Sequence, residues 1–519
     1  MISIMKRTVF FLSLAVLGAA TAGCAQKMGR YHKNLMYEAD LYFMQGDYYY
    51  ASELYAELLT AADDNPEVNG RLGIAYYHIP PLKEMAQPAL EKAVELGHTD
   101  ALFYLAKLRH EDYRFHDALD LLALYERRPD RSASVHQIDL AKEAALRAVD
   151  FLKSPLPVTV RNLGGRVNSA DHDYAPVWDF SEDRIYFTSR RRFDDKSEKD
   201  FSEQFDENIY YTNLNEVPLR ARPADDKLNS RTNDAAVACS PDGKTLIIYR
   251  TGKNGFSGDL YTVNRENGTW ADPVKLGQEI NSKHQEASAA FGNPEQTVLY
   301  FSSDRPEGYG GKDLYKVQKL PDGNWSEPQN LGPEINTPLD DDAPFVAADG
   351  TLYFASKGHQ NMGGYDIFYA LPTADGFSAP TNMGYPINTP ADDIFFSIDS
   401  AAEIGYFSSD RKGGFGLQDL YAVKFDESEK VIYRGRLKDR DDPFDARAVI
   451  RLAEVDEDKA PVLYQTEQGT TDFVFALDRG REYMLTVEAV GYDAVRKSIV
   501  FESGQGGTRE INEEIYLNR

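Results

Sequence analysis

The chain has 519 residues and a formal net charge of −26. That length accommodates about three or four domains. The acidity argues against nucleic acid and anionic lipid headgroups as partners and reads as a solvated surface.

The N-terminus has the pattern of a signal sequence. Lys6 and Arg7 precede an apolar run, Val9 to Ala20, too short to span a bilayer comfortably as a permanent helix. The run ends at Thr21-Ala22-Gly23-Cys24, which resembles a bacterial lipobox. The resemblance implies removal of 1–23 and lipidation of Cys24, with 24–33 as a tether. The other cysteine is Cys239; with Cys24 lipidated, no intramolecular disulfide is possible. Cys239 sits in a strand-like run and is expected to be a small buried residue. A single acylated residue would hold the remaining chain beside a membrane, not inside it.

Residues 34–153 read as helices. Small residues recur in pairs, Ala39 and Ala51, Gly73 and Ala86, Ala106 and Ala118, with aromatic and aliphatic residues between them. The pattern resembles tetratricopeptide repeats, whose period is about 34 residues. The small residues let paired helices approach closely, and a last helix, from about Ser134 to Leu152, would cap the stack. Such stacks present a groove to peptides or proteins. Ser154-Pro155-Leu156-Pro157 is a short, stiff joint.

From Val158 to Phe425 one pattern occurs five times. Each copy opens with an apolar residue, Asn and Ser or Thr, at Asn168, Asn229, Asn281, Asn336 and Asn388. An acid follows five residues later: Asp173, Asp234, Glu286, Asp341 and Asp393. Two apolar-aromatic runs follow, the second marked by Asn208, Asp259, Asp313, Asp366 and Asp419. The last three intervals of that marker are 54, 53 and 53 residues. Short runs of Tyr, Phe, Ile, Leu and Val bounded by Gly, Pro, Asn and Asp are strands. About four strands per period make one propeller blade, so 157–428 is expected to be a five-bladed β-propeller. The fifth copy lacks a last strand, and a matching strand stands alone at 157–164. We expect that strand to complete the fifth blade and close the ring, pairing edges that would otherwise be open.

Residues 429–519 begin a new all-β unit. Phe473-Val474-Phe475-Ala476-Leu477, Arg479-Gly480, Tyr483-Met484-Leu485-Thr486-Val487 and Gly491-Tyr492 resemble the carboxypeptidase regulatory-like, transthyretin-like sandwich. In that family the module is structural. Charged turns are expected at 439–442 and 454–458.

No nucleophile elbow, zinc-protease helix or phosphate loop is present. His172 and His284 occupy comparable places in two copies, but two histidines do not make a metal site. Five inward carboxylates could hold a hard cation such as calcium. Without one they would repel each other. The alternative is that each acid accepts local backbone and hydroxyl bonds in its own loop. Arg305, Lys357 and Arg411, in the polar turns, are expected to pair with neighbouring acids or to meet a partner's carboxylates. No catalytic residue and no cofactor is expected.

The order lipobox, tetratricopeptide stack, WD- or TolB-like propeller and regulatory-like sandwich resembles the PorE-type envelope lipoproteins of Bacteroidetes, accessory parts of the type IX secretion and gliding machinery. The resemblance implies a lipid-anchored outer-membrane protein, on the periplasmic face, that binds other envelope proteins. In that family an OmpA-like domain follows the sandwich and grips peptidoglycan. The sequence runs to Arg519, shortly after Glu514-Ile515-Tyr516-Leu517, and wall binding is not among the expectations carried over. The expectation is a non-enzymatic scaffold. The alternatives are a receptor for glycans or peptidoglycan fragments, using an aromatic propeller face, and a propeller hydrolase.

Overall fold

The computed structural model describes residues 29–519, except 62, 201–203, 253–256, 426–429, 441–442, 456–461, 467–470, 479–480 and 501–508. The signal segment, Cys24 and the Arg479-Gly480 turn lie outside the described residues, as do parts of both charged turns. The chain divides into two compact units, up to Ala101 and from Leu102 onward. No helix among the described residues is long and apolar enough to cross a membrane.

The first unit contains α1 (Arg30–Met44), α2 (Tyr48–Leu59), α3 (Pro66–Tyr77) and α4 (Ala86–Glu95). Helix α1 starts inside the stretch read as a tether. The helical spacing that buries Leu35 and Ala39 reaches back to Tyr31, whose hydroxyl donates to Glu57 of α2 (2.7 Å). Asn65 caps α3 by accepting from Glu67 N and Val68 N. Ala39, Ala51 and Ala86 are fully buried. A Cβ on Gly73 would lie 2.7 Å from Leu90 Cγ and 3.0 Å from Leu90 N. Helices α3 and α4 thus meet at a separation that leaves no room for a side chain there.

The second unit takes most of α5 (Thr99–Glu111), with α6 (Phe115–Glu126) and α7 (Val135–Lys153). The division therefore falls inside the expected helical domain, because α6 and α7 bury their apolar faces against β-structure. Phe115, Ala148 and Leu152 share one core with Met362 and Tyr385, and with Tyr433, Phe473 and Ile515 far along the chain. The side-chain oxygen of Gln465 accepts from His116 N and Asp117 N (3.2 and 3.3 Å), filling first-turn donors of α6 that have no partner within the helix. Arg447 donates to Asp117 and Asp120 of the same helix. At the joint, Leu156 N donates to Tyr385 O (2.7 Å).

Among the described residues, five antiparallel sheets of four main strands follow. Sheet 1 is Asp173–Asp179, Arg184–Ser189, Asn208–Asn213 and Arg222–Pro223. Sheet 2 is Asp234–Cys239, Thr245–Thr251, Gly258–Glu266 and Val274–Lys275, plus a short pairing of Thr269–Trp270. Sheet 3 is Ala289–Phe291, Val298–Ser303, Asp313–Gln318 and Gln329–Asn330. Sheet 4 is Asp341–Val346, Leu352–Ser356, Asp366–Ala370 and Thr381–Asn382. Sheet 5 is Asp393–Ile398, Ile404–Ser409 and Asp419–Lys424, completed by Thr159–Asn162, with Val160 opposite Val423. Innermost strands pack against those of both neighbouring sheets, and sheet 1 meets sheet 5. The chain is thus a mixed α and β protein that carries a β-propeller.

The innermost strands bend sharply. Ala175, Ala343 and Phe395, each two residues after its acid, have positive φ of 52°, 53° and 60°, and the ladder slips register at each. Such left-handed non-glycine residues persist only when their surroundings hold them. A hydroxyl of the preceding sheet does so in two cases: Ala175 N donates to Ser408 Oγ and Ala343 N to Ser288 Oγ. In sheet 2, Ala236 N donates to Thr188 Oγ1 at a similar slip.

The C-terminal residues form two sheets. Lys430–Asp439 lies between Asp472–Asp478, antiparallel, and Arg509–Leu517, parallel. The other sheet runs Val462–Gln465, Ala448–Glu454, Glu482–Ala489, Val495–Val500. Leu437 and Phe475 of the first share a core with Ile450 and Leu485 of the second.

Candidate functional site

The repeat asparagines join one sheet to the next. In each, the side-chain oxygen accepts from a third-strand N–H of the preceding sheet: Asn229 from Ile209, Asn281 from Leu260, Asn336 from Leu314, Asn388 from Ile367. Asn168 does the same for Leu420 of sheet 5 (2.9 Å), across the closing seam.

The five acids are buried and serve their own loops. Asp173 accepts from Ser169 N and Oγ (2.6 and 2.7 Å), and Asp393 from Thr389 N and Oγ1 (2.6 and 2.7 Å). Glu286 and Asp341 are bound in the same way by Ser282 and Thr337, while Asp234 accepts from Ser230 N and the Ser230 hydroxyl meets Thr232. Four acids also meet a guanidinium: Arg191 on Asp173, Arg250 on Asp234, Arg305 on Glu286 and Arg411 on Asp393. Arg191, Arg305 and Arg411 each lie over two aromatic rings of their sheet; Arg411 is 5.0 Å from Phe407 and 4.9 Å from Tyr421. Lys357 pairs instead with Asp340. Among the described residues, no group of three or more His, Cys, Asp or Glu could hold a metal ion.

Sheet 4 breaks the pattern. His359 occupies the arginine's place: its Nε2 donates to Ile335 O (2.8 Å) and its ring packs on Phe354 and Phe368. It does not reach the acid, and Asp341 Oδ1 is buried with no hydrogen-bond partner. Burial raises this carboxyl to about 7. An arginine cannot be restored at Gly358, because a Cβ there would lie 2.0 Å from Thr337 Oγ1. The sequence signal was the Lys357-Gly358-His359 triplet, where sheets 1, 3 and 5 carry Arg191, Arg305 and Arg411; sheet 2 carries its Arg250 one position before the triplet's place, opposite Asp234.

A cavity of about 420 Å³ lies among the innermost strands, toward the hairpins that follow them. All five sheets line it, with Trp178, Ala238, Phe291, Phe345 and Phe396 among the contributors. Its walls are mostly Ala, Val, Pro and Phe. Volume and lining suit a small apolar ligand. Cys239 also lines it and is half-buried; burial holds its thiol well above the usual range, so it is a poor nucleophile. The two histidines singled out in the sequence stand apart in role. His172 is lowered to about 4 by burial, while His284 lies 3.9 Å from Asp304. Nothing in the periodicity pointed to the cavity, since its lining comes from alanines and prolines without chemistry of their own.

The fold and these sites define a propeller-bearing chain whose repeated polar residues are engaged in building the repeat. No family model and no curated protein matches it. Among solved structures it is similar to an α-L-arabinofuranosidase from Lactobacillus brevis, with 13% identity over 49% of this chain and 90% of that one, TM-score 0.33. It is similar to a prolyl endopeptidase at 13% identity, over 60% of this chain and 38% of that one, TM-score 0.26. It is also similar to the β-propeller domain of the Trilobed protease from Pyrococcus furiosus, at 12% identity over 64% and 96%, TM-score 0.25.

Proposed function

We propose that this chain is a non-enzymatic scaffold of the bacterial cell envelope. In this reading a five-bladed propeller stands between a tetratricopeptide stack and a transthyretin-like, regulatory-like sandwich. Lipid on Cys24 holds the protein to the outer membrane, on its periplasmic face. It serves as an accessory of the type IX secretion and gliding machinery, as the PorE-type resemblance implies. The observation that carries the scaffold reading is the single buried core running from α6 and α7 through Met362 and Tyr385 into the C-terminal sheets. Modules locked together hold partners at fixed positions. The pairing of four repeat acids with arginines of their own sheets also supports it, since it commits them to structure.

Affinity purification of the intact protein from membranes after gentle crosslinking tests this. Reproducible recovery of envelope proteins is the expected result; recovery of no protein would count against it. A second reading is a receptor for glycans or peptidoglycan fragments, in which Trp178, Phe291, Phe345 and Phe396 at the cavity cover the apolar face of a sugar ring. That reading expects saturable binding of soluble fragments by the intact chain.

A further inference from the structure

The loops joining second to third strands in sheets 3, 4 and 5 share one backbone construction. In each, an acid accepts from the N–H groups four and three residues before it: Asp313 from Tyr309 and Gly310, Asp366 from Met362 and Gly363, Asp419 from Phe415 and Gly416. The glycine after each crown residue lies tight against the next sheet's leading loop. A Cβ there would come within 2.2 Å of Leu339 O, Thr389 O or Asp171 O respectively. Tyr309, Met362 and Phe415 are therefore held at equivalent crown positions.

Their surroundings differ. Met362 is fully buried, covered by α5 to α7: it shares a core with Ala145, Ala148 and Leu152. The crown's carbonyls are read as well, since His110 Nε2 donates to Met362 O (2.6 Å) and Arg147 Nε to Asn361 O (3.1 Å). On either side of it, Tyr309 is 50% and Phe415 56% exposed. Phe415 is not loose, because its ring lies where a Cβ on Gly165 would be, 2.9 Å away.

We propose that the crowns of sheets 3 and 5 are a docking surface for a helical segment of a partner protein. The segment would present small apolar residues beside an Arg or His, the chemistry by which α5 and α7 already cover the crown of sheet 4. This rests on the scaffold reading and names its surface. The apolar side chain fills a shallow seat between helix side chains, and the basic donor satisfies a crown carbonyl.

The probe is a fluorescently labelled peptide of residues 134–153, α7 with its cap, titrated into the intact chain and followed by anisotropy. Saturable binding is expected. It should weaken at least about tenfold, or about 1.4 kcal/mol, in the Tyr309→Ser/Phe415→Ser double variant. It should be unchanged in Val217→Ser, a replacement of an exposed valine outside the crowns. Arg147→Gln in the peptide should weaken it too. Circular dichroism of the double variant checks that the fold is retained. Absent binding, or binding equal in the double variant, overturns the proposal. If crosslinking nevertheless recovers protein partners, the scaffold reading stands and only this surface falls.

Discussion

Asp393 is buried and Arg411 largely covered, and the guanidinium also donates to Pro386 O and Ile387 O while lying over two rings. Removing one partner of such a pair leaves a charge in a poorly solvated place. We expect Arg411→Ala to destabilise by about 3–5 kcal/mol, measured by urea unfolding. Asp341 is the natural counterpart, an acid whose cation is missing. Burial raises it to about 7 and raises Asp366 of the same sheet to about 8. Both bind protons more tightly folded than unfolded, so they make stability fall as pH rises from about 4 toward 8, then level. Asp341→Asn should therefore match the parent near pH 4 and exceed it above pH 7, by on the order of 1–4 kcal/mol. Equal slopes in the two proteins would refute this. The acids and their arginines were readable as repeated letters. The missing cation was not, because His359 is shifted one position and its role shows only in the carbonyl it meets.

Strands were legible where the period repeated, because alternating Tyr, Phe, Leu and Ile state both the strand and its buried face. The lone strand at Thr159–Asn162 was legible for the same reason, and it pairs with Asp419–Lys424. The asparagine cross-links were not, since a side-chain amide that bridges two sheets leaves no local periodicity. Asn168 accepts from Leu420 N and donates to Leu420 O and Asn162 Oδ1. Leu420 O keeps Leu163 N and Asn162 Oδ1 keeps Gly164 N as donors, so Asn168→Ala chiefly strands Leu420 N, at about 1–3 kcal/mol. Hydrogen exchange should quicken in Asp419–Lys424 and Thr159–Asn162 together, while Asp313–Gln318 in sheet 3 keeps its rate. Faster exchange confined to one of the two paired strands would contradict the seam.

At the scale of the whole molecule, the compact division at Ala101 was hidden. Pro155 and Pro157 read as a stiff joint, but what the joint is tied to was not readable: Leu156 is pinned to Tyr385, and α6 takes its cap from Gln465, 349 residues beyond His116. Contacts so distant in sequence carry no signal in composition. The functional reading depends on α6, α7, the propeller and the C-terminal sheets behaving as one body. Native-state hydrogen exchange of the intact chain in rising urea tests this most directly. The slowest amides of Val135–Lys153, Asp366–Ala370 and Ala448–Glu454 should share one opening free energy and one urea dependence. If Ala448–Glu454 opens at lower urea with its own smaller dependence, the sheets are an independent module and the rigid platform is contradicted.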